Sequence, residues 1–126
     1  MTWRNIPEIP EEFVGFVYEI IEKNTNKKYI GIKKFWKIIK YPPLKGKKNK
    51  RHKKVETDWK EYNSSNKILQ KKIKNNPKNY DKRIIHACNS ITEMKCLEAH
   101  IQLTYYIKGE WNKLYNQMIN LRINIR

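Results

Sequence analysis

Carboxylates are scarce in this chain: 12 Asp and Glu stand against 28 Lys and Arg, a formal net charge of +16. Such an excess excludes a neutral surface, because like charge repels itself unless a polyanion or salt screens it. Nucleic acid is the partner it predicts, since neutralising phosphates releases counterions and gives strong, salt-sensitive binding. Long apolar runs are also missing, so no segment is expected to span a bilayer. No basic amphipathic helix stands out, which argues against an anionic membrane as the partner. Met1-Thr2-Trp3-Arg4-Asn5-Ile6-Pro7 has no apolar core segment and predicts no secretory signal. Cysteine is limited to Cys88 and Cys96, and with His52, His86 and His100 it matches no zinc-finger spacing. Two cysteines without a secretory signal predict free thiols in a reducing, intracellular setting.

What is present reads as one domain over residues 1–126, long enough for a modest core. Residues 1–12 are expected to be an extended arm whose Trp3 packs on the domain. Val14, Phe16, Tyr18 and Ile20 alternate with Gly15, Val17, Glu19 and Ile21, the period-two pattern of a strand. Asn24-Thr25-Asn26 supplies turn chemistry. Lys28 to Lys33 then returns as a second strand, in which Gly31 marks a bulge or a close approach by another group.

Lys33 to Lys54, KKFWKIIKYPPLKGKKNKRHKK, carries no carboxylate, and Pro42-Pro43 and Gly46 forbid a continuous helix through it. Phe35, Trp36, Ile38, Ile39, Tyr41 and Leu44 anchor its start. The stretch 33–54 is therefore expected to be a long basic loop with a mobile lysine-rich tip that runs along a phosphate backbone. Lys34, Lys45, Lys47, Lys48, Lys50, Arg51, His52, Lys53 and Lys54 are its candidate nucleic-acid contacts.

Thr57 or Asp58 could cap a short helical turn containing Trp59 and Tyr62. Ser64 or Ser65 opens a helix with Ile68, Leu69 and Ile73 on one face, stopped by Asn75-Asn76-Pro77. Arg83 to Cys88 reads as a third strand that completes a small sheet. Ser90-Ile91-Thr92-Glu93 is a capping box opening the best-patterned helix, with Met94, Leu97, Ile101 and Tyr105 as its apolar stripe and Gly109 as its stop. Glu98 lies beside that stripe. Arg122 and Arg126 make the end of the chain basic. Composition and spacing thus give a basic α/β (α+β) nucleic-acid-binding domain.

Phe16-Val17-Tyr18, followed eleven residues later by Tyr29-Ile30-Gly31, resembles the paired signature of the GIY-YIG nuclease superfamily. Asn63-Ser64-Ser65 before a helix, Asn79-Tyr80 before the third strand, Glu98 on the next helix and Tyr115-Asn116 follow in that family's order. The likeness is closest to small phage-encoded endonuclease members and runs from about Phe13 to Arg122. It implies a small three-stranded antiparallel sheet flanked by helices, and metal-dependent hydrolysis of DNA phosphodiesters. Glu98 is the implied ligand of one Mg²⁺ or Mn²⁺, an ion that keeps several waters alongside a single carboxylate. Tyr18 is the implied general base, with its pKa brought down by Lys28, Lys33 and Lys34. Tyr29 would hydrogen-bond the water or the scissile phosphate. Gly31 would admit phosphate to the backbone, and Asn116 would position Glu98 or the phosphate.

The chain departs from the family pattern in one respect that bears on catalysis. No arginine lies between Gly31 and Lys50, where most members carry one just after the second tripeptide. Either Lys33 takes that role, or Arg51 or His52 reaches in; a lysine lacks the bidentate fork. Asn63 also stands where some members have histidine. A non-catalytic basic nucleic-acid-binding module on the same scaffold is the alternative, and a peripheral membrane binder the third reading. Oligomeric state and cleavage specificity do not follow from the sequence.

Overall fold

The computed structural model describes residues 2–49 and 51–123. Lys50 and Arg126, named above as a phosphate contact and a basic terminal residue, lie outside the described residues. Strand β1 (Trp3–Arg4) leads to β2 (Gly15–Glu22), β3 (Lys28–Lys34), β4 (Trp36–Tyr41) and β5 (Arg51–Glu56). Helix α1 (Lys67–Asn75), strand β6 (Tyr80–Cys88) and helix α2 (Ile91–Ile107) follow. One sheet has the order β1-β6-β2-β3, and β4 and β5 form a separate two-stranded ribbon.

Three expectations change here. The main sheet has four strands rather than three, because the arm contributes β1, which pairs in parallel with β6 through Trp3↔Lys82 and Arg4↔Arg83. Trp3 is buried and its indole N–H donates to the Trp59 carbonyl at 2.6 Å. Satisfying that donor inside the core fixes the arm in place. The stretch 33–54 is not one loop. Its flanks pair as the antiparallel ribbon from Trp36↔Glu56 to Tyr41↔Arg51, and only 42–50 connects them. Trp36, Ile38, Ile39, Tyr41 and Val55, the β-branched or aromatic positions of its strands, favour strand over coil. The segment 57–62 forms the expected short turn, with the Glu61 N–H on the Asp58 carbonyl and the Tyr62 N–H on the Trp59 carbonyl, but the helix after it begins only at Lys67, not at Ser64 or Ser65.

The alternation of β2 sorts residues onto two faces. Phe16, Tyr18 and Ile20 face a core with Trp3, Phe35, Trp59, Leu69, Ile73, Tyr80 and Ile84, so α1 covers this side. Val17 faces the other core with Ile30, Cys88 and Met94, against which Leu97, Ile101 and Tyr105 of α2 pack. The expected apolar stripe of α2 is thus its buried face. Caps agree with local chemistry. The Ser90 hydroxyl accepts from the Glu93 N–H at 3.0 Å, and Glu93 accepts the Asn89 N–H at 2.9 Å. Gly109 has φ 71°, the left-handed C-terminal stop. For α1 the cap is Asn66 rather than Ser64 or Ser65, accepting from the N–H groups of Ile68 and Leu69.

Candidate active site

Strand β3 is an edge of the sheet, and its backbone is closed off by the chain after α2. The Tyr115 N–H donates to the Lys28 carbonyl at 2.7 Å. The Asn116 side chain then acts as one rung of a ladder: its Oδ1 accepts the Ile30 N–H at 2.9 Å and its Nδ2 donates to the Ile30 carbonyl at 2.8 Å. Both ends of the amide are spent on the residue between Tyr29 and Gly31. Asn116 therefore fixes the edge strand through Ile30.

Tyr18 and Tyr29 project from neighbouring strands on the α1 face, ring centroids 6.2 Å apart. Tyr62 stands edge-on to Tyr18 at 6.0 Å, a third tyrosine that sequence reading left out of the site. Tyr18 is 1% exposed. Burial raises its pKa well above the usual tyrosine value, and the hydroxyls of Tyr62 and Tyr29 and the charge of Glu98 add to the rise. Tyr29 is half-buried and also raised, again by burial first, although a 2.8 Å hydrogen bond with Ser65 opposes the shift. The expected lowering of Tyr18 by Lys28, Lys33 and Lys34 is thus reversed. Desolvation disfavours the buried phenolate, and no lysine offsets it.

Gly31 lies directly across from Tyr18 in the β2–β3 register. A Cβ built on it would fall 2.5 Å from the Tyr18 Cζ and closer still to the hydroxyl. The space over this glycine is filled by the tyrosine ring, so Gly31 accommodates Tyr18 and not a phosphate.

Lys33, two residues on and on the same face, is already engaged. Its ammonium contacts Asp58 at 2.7 Å and lies 4.1 Å from the centre of the Tyr62 ring. The Asp58 carboxyl is correspondingly held below its ordinary pKa by the Lys33 hydrogen bond. The buried Lys82 ammonium, from β6, donates to the Tyr62 carbonyl at 2.9 Å and steadies that turn. Burial lowers its pKa to about 8.

Glu98 comes from α2, on the opposite side of the sheet, yet its charge reaches both Tyr18 and Tyr29 at the β3 edge. Its carboxyl has no hydrogen bond or ion pair among the described residues, and burial alone raises its pKa. A carboxylate without a protein partner is a hard oxygen donor, which suits Mg²⁺ or Mn²⁺ better than a soft metal. Beside Tyr29 runs an open cleft of about 500 Å³ lined by Ser65, Asn66, Lys67, Asn116 and Gln117. Ser65 and Lys67 are exposed along it.

The ribbon residues stand apart from this cluster. Arg51 is at the far end of the ribbon, where its guanidinium lies 5.7 Å from the Tyr41 ring and donates to the Pro42 carbonyl at 3.4 Å. His52, Lys53 and Lys54 are exposed along β5, and Lys45, Lys47 and Lys48 on the connecting loop. Lys34 is exposed and its side chain leaves β3 on the opposite face from Tyr29 and Lys33. On the α2 side, His86, Cys88 and Glu93 bring donor atoms within 4.8 Å of one another. Glu93 is committed to its cap and to His86 at 3.2 Å, and burial pushes the Cys88 thiol up to about 11.

Residues 3–119 match the family model described as "Putative endonuclease segE, GIY-YIG domain". The chain belongs to this family, within the GIY-YIG superfamily of nuclease domains, and such a domain implies a nucleic-acid substrate. No curated protein and no solved structure matches the chain. No helix among the described residues is long and apolar enough to cross a membrane.

Proposed function

We propose that this protein is a metal-dependent DNA endonuclease that hydrolyses phosphodiester bonds at the tyrosine cluster. The observation that carries the reading is the half-buried Glu98 carboxyl, left without a protein partner within electrostatic range of Tyr18 and Tyr29. A half-buried carboxyl with a raised pKa and no protein partner is a candidate functional group. A divalent cation at Glu98 would acidify a bound water and neutralise charge on the leaving oxygen.

Tyr29 has a half-exposed hydroxyl oriented by Ser65, and it holds the attacking water in line with the phosphorus. Tyr18 stays protonated and buttresses Tyr29 and Tyr62 from below. Lys33 neutralises phosphate charge once it leaves Asp58, whose carboxylate side chain is 70% exposed and so holds it weakly. Asn116 acts through Ile30, keeping the backbone between Tyr29 and Gly31 straight.

Supercoiled plasmid with Mg²⁺ or Mn²⁺ tests the reading. Nicked or linear product from the wild type, and none from Glu98→Ala, is expected. Equal cleavage by both would overturn the site. The ion pair that occupies Lys33 favours a second reading, a non-catalytic DNA-binding module. It predicts salt-sensitive binding and intact plasmid with every metal.

A further inference from the structure

The ribbon has features that phosphate contact alone does not explain. From Lys23 through Val55 there is no carboxylate, so β4, the connecting loop and β5 as far as Val55 present one sign of charge, and Glu56 stands at the domain end of the ribbon. Leu44 is 53% exposed and follows two exposed prolines, Pro42 and Pro43, on an otherwise cationic arm. Adjacent apolar side chains held in water this way mark a contact surface. The tip has a definite shape. The Lys47 N–H donates to the Leu44 carbonyl at 2.8 Å, and Gly46 takes φ 83°. A left-handed third residue in a four-residue turn is the type II pattern. Two prolines precede it, so Pro42-Pro43-Leu44 forms a stiff apolar prow flanked by Lys45, Lys47 and Lys48. Arg51 braces it from behind through Tyr41 and the Pro42 carbonyl.

We propose that the tip of the β4–β5 ribbon inserts Leu44, backed by Pro43, between base steps of duplex DNA from the minor groove and bends the duplex. This rests on the DNA-directed reading above and names how that substrate is engaged. The occupant follows from charge and shape together. A polyanion answers the lysines, the nuclease family names nucleic acid among polyanions, and a base stack offers an apolar slot for an aliphatic wedge beside its phosphates. Six strand pairs make the ribbon about 20 Å long, enough to carry its tip from the domain to the groove floor. The minor groove, about 6 Å wide, admits the tip but not the two-stranded ribbon until the duplex opens there. Aliphatic and proline wedges partly unstack a step and kink DNA toward the major groove. Pyrimidine–purine steps yield most easily, so the wedge favours them without reading base edges.

The test uses the full chain in EDTA, so that no cleavage intervenes, with a 30-base-pair duplex labelled at both ends. Binding is read by anisotropy and bending by energy transfer between the labels at saturating protein. The wild type is expected to raise transfer, more for a duplex with a central TA step than for one with an A-tract. Leu44→Ala, at an exposed position where unfolding is not expected, should lose most of that rise. Its affinity should drop about ten- to a hundredfold, the worth of one buried leucine. Lys47→Ala should weaken binding and lower the salt slope by about 1 while leaving the saturated bend unchanged. Binding without bending, or a bend that Leu44→Ala keeps, overturns the wedge and leaves the endonuclease reading standing. No duplex binding at any salt overturns both. A Leu44-dependent bend with intact plasmid under every metal supports the wedge and rejects catalysis. Leu44-dependent capture of anionic vesicles, or a dimer that Leu44→Ala dissolves, with DNA left straight, assigns the tip to a membrane or a second copy and overturns the proposal.

Discussion

Replacing Gly31 with alanine puts a methyl group where the Tyr18 ring already lies. The added Cβ would sit 2.5 Å from Cζ and 2.9 Å from Cε2, more than 1 Å inside ordinary carbon contact of about 3.5–4.0 Å. Neither partner can retreat easily. Tyr18 is packed against Trp3, Phe16, Tyr29 and Tyr62, and Gly31 is held in the ladder opposite it. Overpacking of this kind costs about 1–3 kcal/mol, against which the entropic gain of losing a glycine returns about 0.5–1. A net loss of about 2 kcal/mol is expected, or roughly 8 °C in Tm for a domain of this size. Urea unfolding followed by tryptophan fluorescence measures it. In a Tyr18→Leu background the same change should cost nothing, giving a coupling of about 2 kcal/mol between the two positions. If Gly31→Ala instead folds within about 0.5 kcal/mol of wild type yet abolishes plasmid cleavage, the glycine serves a ligand and the steric reasoning is wrong.

Glu98→Gln should remove cleavage while leaving the metal-free protein as stable or more stable. The folded carboxyl has a raised pKa, so wild type loses stability as pH rises from the unfolded value through the folded one, and the glutamine variant should lack that loss in a pH series of melts. Asp58→Ala should release Lys33 and hold or raise the nicking rate, whereas Lys33→Ala lowers it; a fall in both would show that the ion pair itself is needed. Lys82 binds fewer protons folded than unfolded between about 8 and its ordinary 10.5, so its contribution to stability should grow across that window. The growth should reach at most about 3 kcal/mol, and comparison with Lys82→Met isolates it from other titrations.

The parts of the fold written in period and punctuation were legible. Strands β2 and β3, the Ser90 cap, the apolar stripe of α2 and the Gly109 stop all depend on neighbours a few residues away. What the sequence hid depends on distant partners. Trp3–Arg4 becomes a strand only because β6 offers an edge and the Trp59 carbonyl takes the indole proton. The ribbon was masked by Pro42-Pro43 and Gly46, which read as loop although they occupy only its turn. Tyr62 escaped notice because nothing local marks a tyrosine that folds back over a strand forty-four residues upstream. Asn116 was found by its place in a motif, but its pairing with Ile30 could come only from the structure.

The chemistry of the site turns on β3 being thin and at the edge. At the edge, Gly31 leaves room for the Tyr18 ring, and Asn116 with Tyr115 satisfies backbone groups that would otherwise need another strand. The same glycine lets Tyr18 lie flat across the strand pair, which buries its hydroxyl and keeps it protonated. The tyrosine pair is therefore unequal: Tyr18 is buried, while Tyr29 stands beside the open cleft with Ser65 and is the member that the proposed reading gives to the substrate. On that division Tyr18→Phe should retain most cleavage and Tyr29→Phe should lose it. Initial nicking rates at saturating metal decide, and the reverse ranking would return the base to Tyr18.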